Sequence, residues 1–501
     1  MKGNIAKSIL VFSILFILSF PCFANNVAIS NVSMRDQGEE TCKIQFDVSW
    51  DNSWRNIVNY DAIWIFMKYS TDSGSTWSHA TLSDSGTNPS VFSSGTGTNL
   101  DIIVPSDKKG AFLQRSGNSS GSVSTEDIMF SWDWDADELD YDDTARVKIF
   151  AIEMVYIPEA SFYAGSGGTG ENEFTQTQIT TSDASSSGGY PLGETATDAS
   201  WPNGYGAFYL MKYEISQKQY RDFLNNISSS KNQNRCSAVT SGKFMNDDDE
   251  ADAPQNRNGI QNSSGTFVCN LDNDAFNNEG EDGENIACNW LKWADLAAFA
   301  DWAALRPMTE LEFEKTARGE VSAVADEYVW SSSIGARQAK GIFDTGLNSE
   351  IASASSNYAN CIYGNHASVQ GPMRVGSFAH SESFASSKLN TTLKLATNRK
   401  EAGSGYYGNT DLSGNLWEMC ISMGNVTGRT FTGTHGDGAL DVNGDANVTN
   451  WPVSDAVGCG FRGGSWFNDA ARMKVSDRNS ASVTDPTRTN SYGGRCARTA
   501  P

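Results

Sequence analysis

Residues Gly460–Arg498 read GFRGGSWFNDAARMKVSDRNSASVTDPTRTNSYGGRCAR, and this stretch decides how the rest of the chain is read. Gly463-Gly464-Ser465-Trp466 is a glycine turn closed by an indole. With Arg462, Arg478, Gly494 and Arg495 it makes a frame. Between the frame residues lie Phe467, Asn468, Ala471, Met473, Ser476, Asn479, Ser480, Ser482, Thr489, Asn490, Ser491 and Tyr492. These are small, polar or aromatic, the mixture that adaptable binding loops use. The reading is a ligand-binding surface. Trp466 and Arg478 are expected to be buried, while Phe467, Asn468, Met473, Asn479 and Asn490 are expected to face solvent or ligand.

Working outward, three further blocks stand in order upstream. The first is Met154–Pro158 (MVYIP), with Phe162 and Ala164-Gly165-Ser166, then Phe208–Ser216 (FYLMKYEIS), a strand entering a helix. Ser216 and Gln219 have capping-box spacing, and Tyr220, Phe223 and Leu224 share one helical face. The second runs from Trp293 to Gly319, WADLAAFADWAALRPMTELEFEKTARG. Trp293, Leu296, Ala297 and Ala300 give an amphipathic helix over 289–304. Thr309 and Glu312 repeat the capping box, and Phe313 and Ala317 point inward. The third is Asp411–Glu418, DLSGNLWE.

Together the four blocks resemble the formylglycine-generating-enzyme (sulfatase-modifying factor) family over roughly residues 152–501. The resemblance implies an α+β class overall, with a loop-rich scaffold related to C-type lectins in this region. In that family two cysteines after the glycine turn oxidise a sulfatase cysteine with the help of copper. By spacing, Asn468 and Met473 occupy those positions here, and neither supplies a thiolate. No copper is expected and no catalytic residue is assigned. Cys459 and Cys496 lie in the same segment and read as structural. The resemblance also places a calcium site on Asp411, Ser413, Gly414 and Asn415, the middle two through backbone carbonyls. Alternating oxygen donors around a glycine suit a hard cation, although Asp411 and Asn415 could equally bond the turn's own backbone. Asp441–Asn447 (DVNGDAN) resembles the start of an EF-hand loop, but its glycine is misplaced, so it reads as a polar turn. The C-terminal arrangement is also similar to variable proteins of diversity-generating retroelements, which share this fold and diversify this end.

Residues 25–150 read as all-β. Ile44, Phe46, Val48 and Trp50 alternate with polar neighbours, Ala62–Tyr69 (AIWIFMKY) is a continuous apolar run, and turn clusters follow. A β-sandwich is the expected form. The acidic run Asp133–Asp143 reads as a solvated loop. Ser228–Glu284 is polar and acidic, and reads as an insertion that needs disulfides or a metal to be ordered.

At the N-terminus, Lys2 and Lys7 precede the apolar run Ile9–Phe20, which suits a signal peptide cleaved after Ala24 (residues 1–24). Cys22 invites a lipoprotein reading, but the residues before it lack the usual pattern. A secreted, periplasmic or cell-surface location is expected, with no membrane-spanning segment. The formal charge of −23 argues against nucleic acid as a partner. Beyond Cys22 there are eight cysteines, an even number that permits disulfides in an exported chain. There is no CxxC, and the four histidines form no metal motif. The sequence thus points to a secreted, non-catalytic protein binding an extracellular protein or glycan. The alternative is a divergent formylglycine-generating oxidase acting on sulfatase cysteines.

Overall fold

The computed structural model describes residues 27–140, 143–353, 359–379 and 399–501. The expected signal peptide lies outside them. The chain is mostly β-structure, with short helices.

The strands β1 (Ala28–Arg35), β2 (Thr41–Arg55), β3 (Asp61–Ser70), β4 (Leu100–Val104), β5 (Ala111–Arg115) and β6 (Ser119–Asp133) build the N-terminal region. One sheet runs β1-β2-β6 and ends on Thr96–Gly97. Period-two alternation in β2 buries Cys42, Ile44, Phe46, Val48 and Trp50, which meet Ile63, Ile65 and Met67 of β3 in one apolar cluster. The opposite face of β3, with Ala62, Trp64 and Phe66, enters a different cluster. Burial on both faces is why this strand is a continuous apolar run rather than an alternating one.

The second sheet does not stop at the end of this region. Strand β7 (Arg146–Ile157) pairs with β3 through Arg146–Val155. It pairs with β8 (Phe208–Met211) through Met154–Ile157. The sheet continues from β8 to the C-terminal strand Cys496–Thr499 and then to Arg306–Pro307. The boundary drawn at residue 150 therefore falls inside one strand, and the sandwich is not a separate unit: its second sheet is shared.

Helices α1 (Gln217–Leu224), α2 (Trp293–Trp302) and α3 (Glu310–Arg318) lie on the far side of that sheet or beside it. Both expected capping boxes are present. Gln219 N donates to Ser216 Oγ at 3.3 Å and Ser216 N to Gln219 Oε1 at 3.0 Å. Glu312 N donates to Thr309 Oγ1 at 3.2 Å and Thr309 N to Glu312 Oε2 at 2.9 Å. α2 is buried all round, its Trp302 set edge-on to Phe66 at 5.0 Å. Gly319 ends α3 at φ 75°, where a side chain would also strike the Tyr406 ring.

Within 228–284, order comes from hydrogen bonds and ion pairs. A hairpin joins Ile260–Ser263 to Thr266–Cys269. Arg488 clamps the segment from outside, reaching Asp295 at 2.8 Å, Asn234 O at 2.9 Å and Asp248 at 3.3 Å. The eight described cysteines are buried and not joined in disulfides, so crosslinks are not what holds this insertion.

Candidate functional site

The glycine turn and the Asp411–Asn415 loop interlock. Gly463 and Gly464 sit at φ 86° and 70°, and a Cβ on Gly463 would lie 2.8 Å from Leu412 O. Gly414 N donates to Gly463 O at 2.9 Å, Trp466 N to Asn415 O at 2.8 Å, and Ser413 Oγ to Met473 O at 2.8 Å. Trp466 is buried, and its Nε1 donates to Asn490 O at 2.9 Å, tying the two ends of the C-terminal segment together.

Beneath the turn lies a buried ladder of charges. α3 presents Glu310, Glu314 and Arg318 at successive i, i+4 positions. Arg462 reaches Glu310 at 3.0 Å and Glu314 at 2.7 Å. Arg478 reaches Glu310 at 2.8 Å and stands 3.7 Å from the Phe174 ring centre. Burial alone would raise the Glu314 carboxyl, but Arg462 and Arg318 together hold it below its ordinary range. Arg495 pairs with Glu418 in the same dry interior at 2.6 Å. The frame residues Trp466, Arg478 and Arg495 are thus packed as their types suggest.

Two residues expected at the surface are not there. Met473 is fully buried beside Phe313, Leu412 and Val475. Ser476 is buried too. Its hydroxyl accepts from Arg318 at 2.7 Å and lies 3.2 Å from Glu314. Both point inward because this stretch follows the ladder: the apolar pair Met473 and Val475, two residues apart, was the available signal. The carboxylates of α3 were missed at the sequence level, although the Glu310, Glu314, Arg318 spacing carries them.

The remaining residues fall into separate neighbourhoods. Phe467 is 51% exposed and meets Trp466 edge-on at 5.6 Å. Asn468 Oδ1 accepts from Ser465 Oγ at 2.6 Å. The Asn490 carbonyl takes the indole N–H of the neighbouring Trp466. Thr489 and Ser491 are partly buried, their hydroxyls 3.3 Å apart. Ser480 and Tyr492 meet at Phe461: Ser480 O accepts from Phe461 N, and Tyr492 lies against the Phe461 ring at 4.2 Å, while Ser482 is exposed. Ala471 is exposed, and Asn479 is partly buried near Glu171.

Part of the expected calcium donor set is engaged within the protein. Asp411 Oδ2 accepts from Gly376 N at 2.7 Å and Thr410 Oγ1 at 3.0 Å. Asn415 Oδ1 accepts from Met373 N at 2.8 Å, and its amide nitrogen donates to Glu214. The Ser413 hydroxyl is turned to Met473 O. These contacts stitch loops together.

The described cysteines are buried. Burial pushes the Cys459 and Cys361 thiols up to about 12, and raises Cys420 and Cys496 as well.

Residues 151–500 match the sulfatase-modifying factor enzyme 1-like domain. No curated protein matches the chain. Among solved structures, Treponema denticola variable protein 1 is similar at a TM-score of 0.32 and 14% identity, over 70% of this chain and 96% of that one.

Proposed function

Given that this chain belongs to the sulfatase-modifying factor enzyme 1-like family, we propose that it is an exported member that binds an extracellular ligand through its C-terminal face and does not oxidise it. One observation carries the reading. The positions of the two family thiols hold Asn468, whose side-chain oxygen is engaged by Ser465, and Met473, which is buried core. The nearby cysteines are buried, and burial raises their thiols, which supports the same reading. What remains is the turn, its arginine and carboxylate support, and a C-terminal segment whose exposed residues include Phe467, Ala471 and Ser482.

In support of a binding role, the charge ladder and the Trp466 clasp fix the backbone while leaving the exposed side chains outside the core. That separation allows side chains to change without loss of fold. Diversification, if it operates here, is then restricted to the exposed positions and does not extend to Met473 and Ser476. Among the described residues no helix is long and apolar enough to cross a membrane.

The test is direct. The full chain, supplied with copper, oxygen and a Cys-x-Pro-x-Arg peptide, is expected to leave the peptide mass unchanged. Conversion of the thiol to an aldehyde above a no-protein control would overturn the non-catalytic reading and restore the oxidase.

A further inference from the structure

A cavity of about 200 Å³ lies where the N-terminal strands meet the helices, and none of its lining residues belongs to the C-terminal segment. Strands β1, β3 and β7 contribute Ala28, Phe66 and Phe150, and helix α2 contributes Phe299 and Trp302. The rings hold one another in place. Trp302 meets Phe66 edge-on at 5.0 Å, Phe150 at 4.9 Å and Phe299 at 5.8 Å, and Phe66 stacks on Phe150 at 5.3 Å. Rings braced on several sides do not collapse into the space, so the cavity exists before any ligand arrives.

Trp302 supplies a second, independent observation. It is 3% exposed, and among the described residues its Nε1 is buried without a hydrogen-bond partner. Buried indoles usually find one. Here Trp64 donates to Ala303 O, Trp293 to Pro452 O and Trp466 to Asn490 O. An unpaired buried donor keeps its desolvation penalty until an acceptor reaches it. The charges nearby are already committed. Lys218 and Asp222, which line the cavity from α1, pair with each other at 2.9 Å. Lys68 stands 5.2 Å from the Trp302 ring centre and donates to Gly438 O at 2.8 Å.

We propose that this cavity binds a small neutral molecule with one aromatic ring and one oxygen acceptor, the acceptor taking the Trp302 indole N–H. Size sets the first limit. An apolar cavity of about 150 Å³ admits benzene. The space here suits a ring with a short substituent, and not a peptide or an oligosaccharide. The braced aromatic rings favour another ring, through offset and edge-to-face contacts. The paired Lys218 and Asp222 leave no charge that an ionic ligand would neutralise. This site is separate from the C-terminal face and stands or falls without it.

The experiment measures binding of acetophenone and ethylbenzene to the full chain by calorimetry. The two probes match in shape, and only the first carries a carbonyl acceptor. Acetophenone is expected to bind at least about tenfold more tightly. Trp302→Phe should erase that difference. Ala28→Trp, which fills the cavity from a partly exposed position outside the apolar clusters, should abolish binding of both and melt with the wild type. If Trp302→Phe fails to fold, the wild-type comparison and Ala28→Trp still decide. Failure of both probes to bind means that the cavity holds water only and overturns the proposal. So does equal affinity for the two probes, or binding that persists in Ala28→Trp.

Discussion

Met473 and Phe467 are six residues apart in one loop segment and carry opposite energetics. Met473 contributes its whole side chain to the core beside Phe313 and Leu412, whereas half of Phe467 is exposed. Met473→Ala should therefore cost about 2–5 kcal/mol, the usual range for emptying a buried apolar site. Phe467→Ala should change stability by no more than about 0.5 kcal/mol in either direction. Denaturant midpoints measure both. Equal losses would mean that the Phe467 ring is packed, and would remove it as a ligand contact. His79 makes a second residue-scale case. It stacks on Phe66, and its Nδ1 is buried without a partner against Gly438. Burial first, then Lys68, holds its pKa well below the ordinary value. The hydrogen bond to Lys109 O opposes this, while the Lys109 and Arg498 charges act in the same sense as burial. The unfolded chain binds this proton near pH 6.5 and the folded chain does not. Stability should fall as pH drops below about 6.5, by up to about 1.4 kcal/mol per pH unit from this group. Asp301, raised to about 7 chiefly by burial, works in the opposite direction. The measurement is thus a comparison: His79→Phe, which keeps the stack, should show a flatter acid limb than the wild type.

At the scale of elements, α3 is the part on which the C-terminal face depends. Glu310 and Glu314 are dry, and each meets a guanidinium from a distant segment. Glu310 serves Arg462, Arg478 and the backbone N–H of Met423 at once. Removing one member leaves buried charges without partners, which costs about 3–5 kcal/mol. Glu310→Ala is expected to lose stability in that range and to loosen Gly460–Arg498 ahead of the rest. Hydrogen exchange resolved along the chain would detect this as early loss of protection in that segment. A uniform change would show that the ladder does not hold the face in particular.

For the molecule as a whole, the decisive element is β7, paired to β3 along one stretch and to β8 along the next. The contact between the N-terminal strands and the rest is also chemically specific. The Trp64 indole donates to Ala303 O at 2.8 Å, Lys68 Nζ to Gly438 O at 2.8 Å, and Asn59 to Tyr407 O at 2.6 Å. Exposing any of these would leave polar groups of the other part without partners. Thermal unfolding should accordingly be one transition, with far-UV dichroism and tryptophan fluorescence changing together. Two separated transitions would show that the shared sheet does not couple the regions.

What the sequence determined by itself was local. The capping boxes at Ser216 and Thr309 and the alternation of β2 are interactions within a few residues, so spacing alone carries them. The loss of both family thiols could likewise be read directly, because it depends on residue identity. The tertiary structure decided everything that depends on partners distant in the chain. It placed Met473 and Ser476 inside, since the arginines and carboxylates they follow come from segments about 150 residues apart. It directed side-chain oxygens of Asp411, Ser413 and Asn415 toward other loops, contacts that composition does not reveal. It also joined two apparent regions through one strand. A strand's sequence records that its faces are buried, whereas its edge partners are chosen by backbone hydrogen bonds that leave no mark on side-chain pattern.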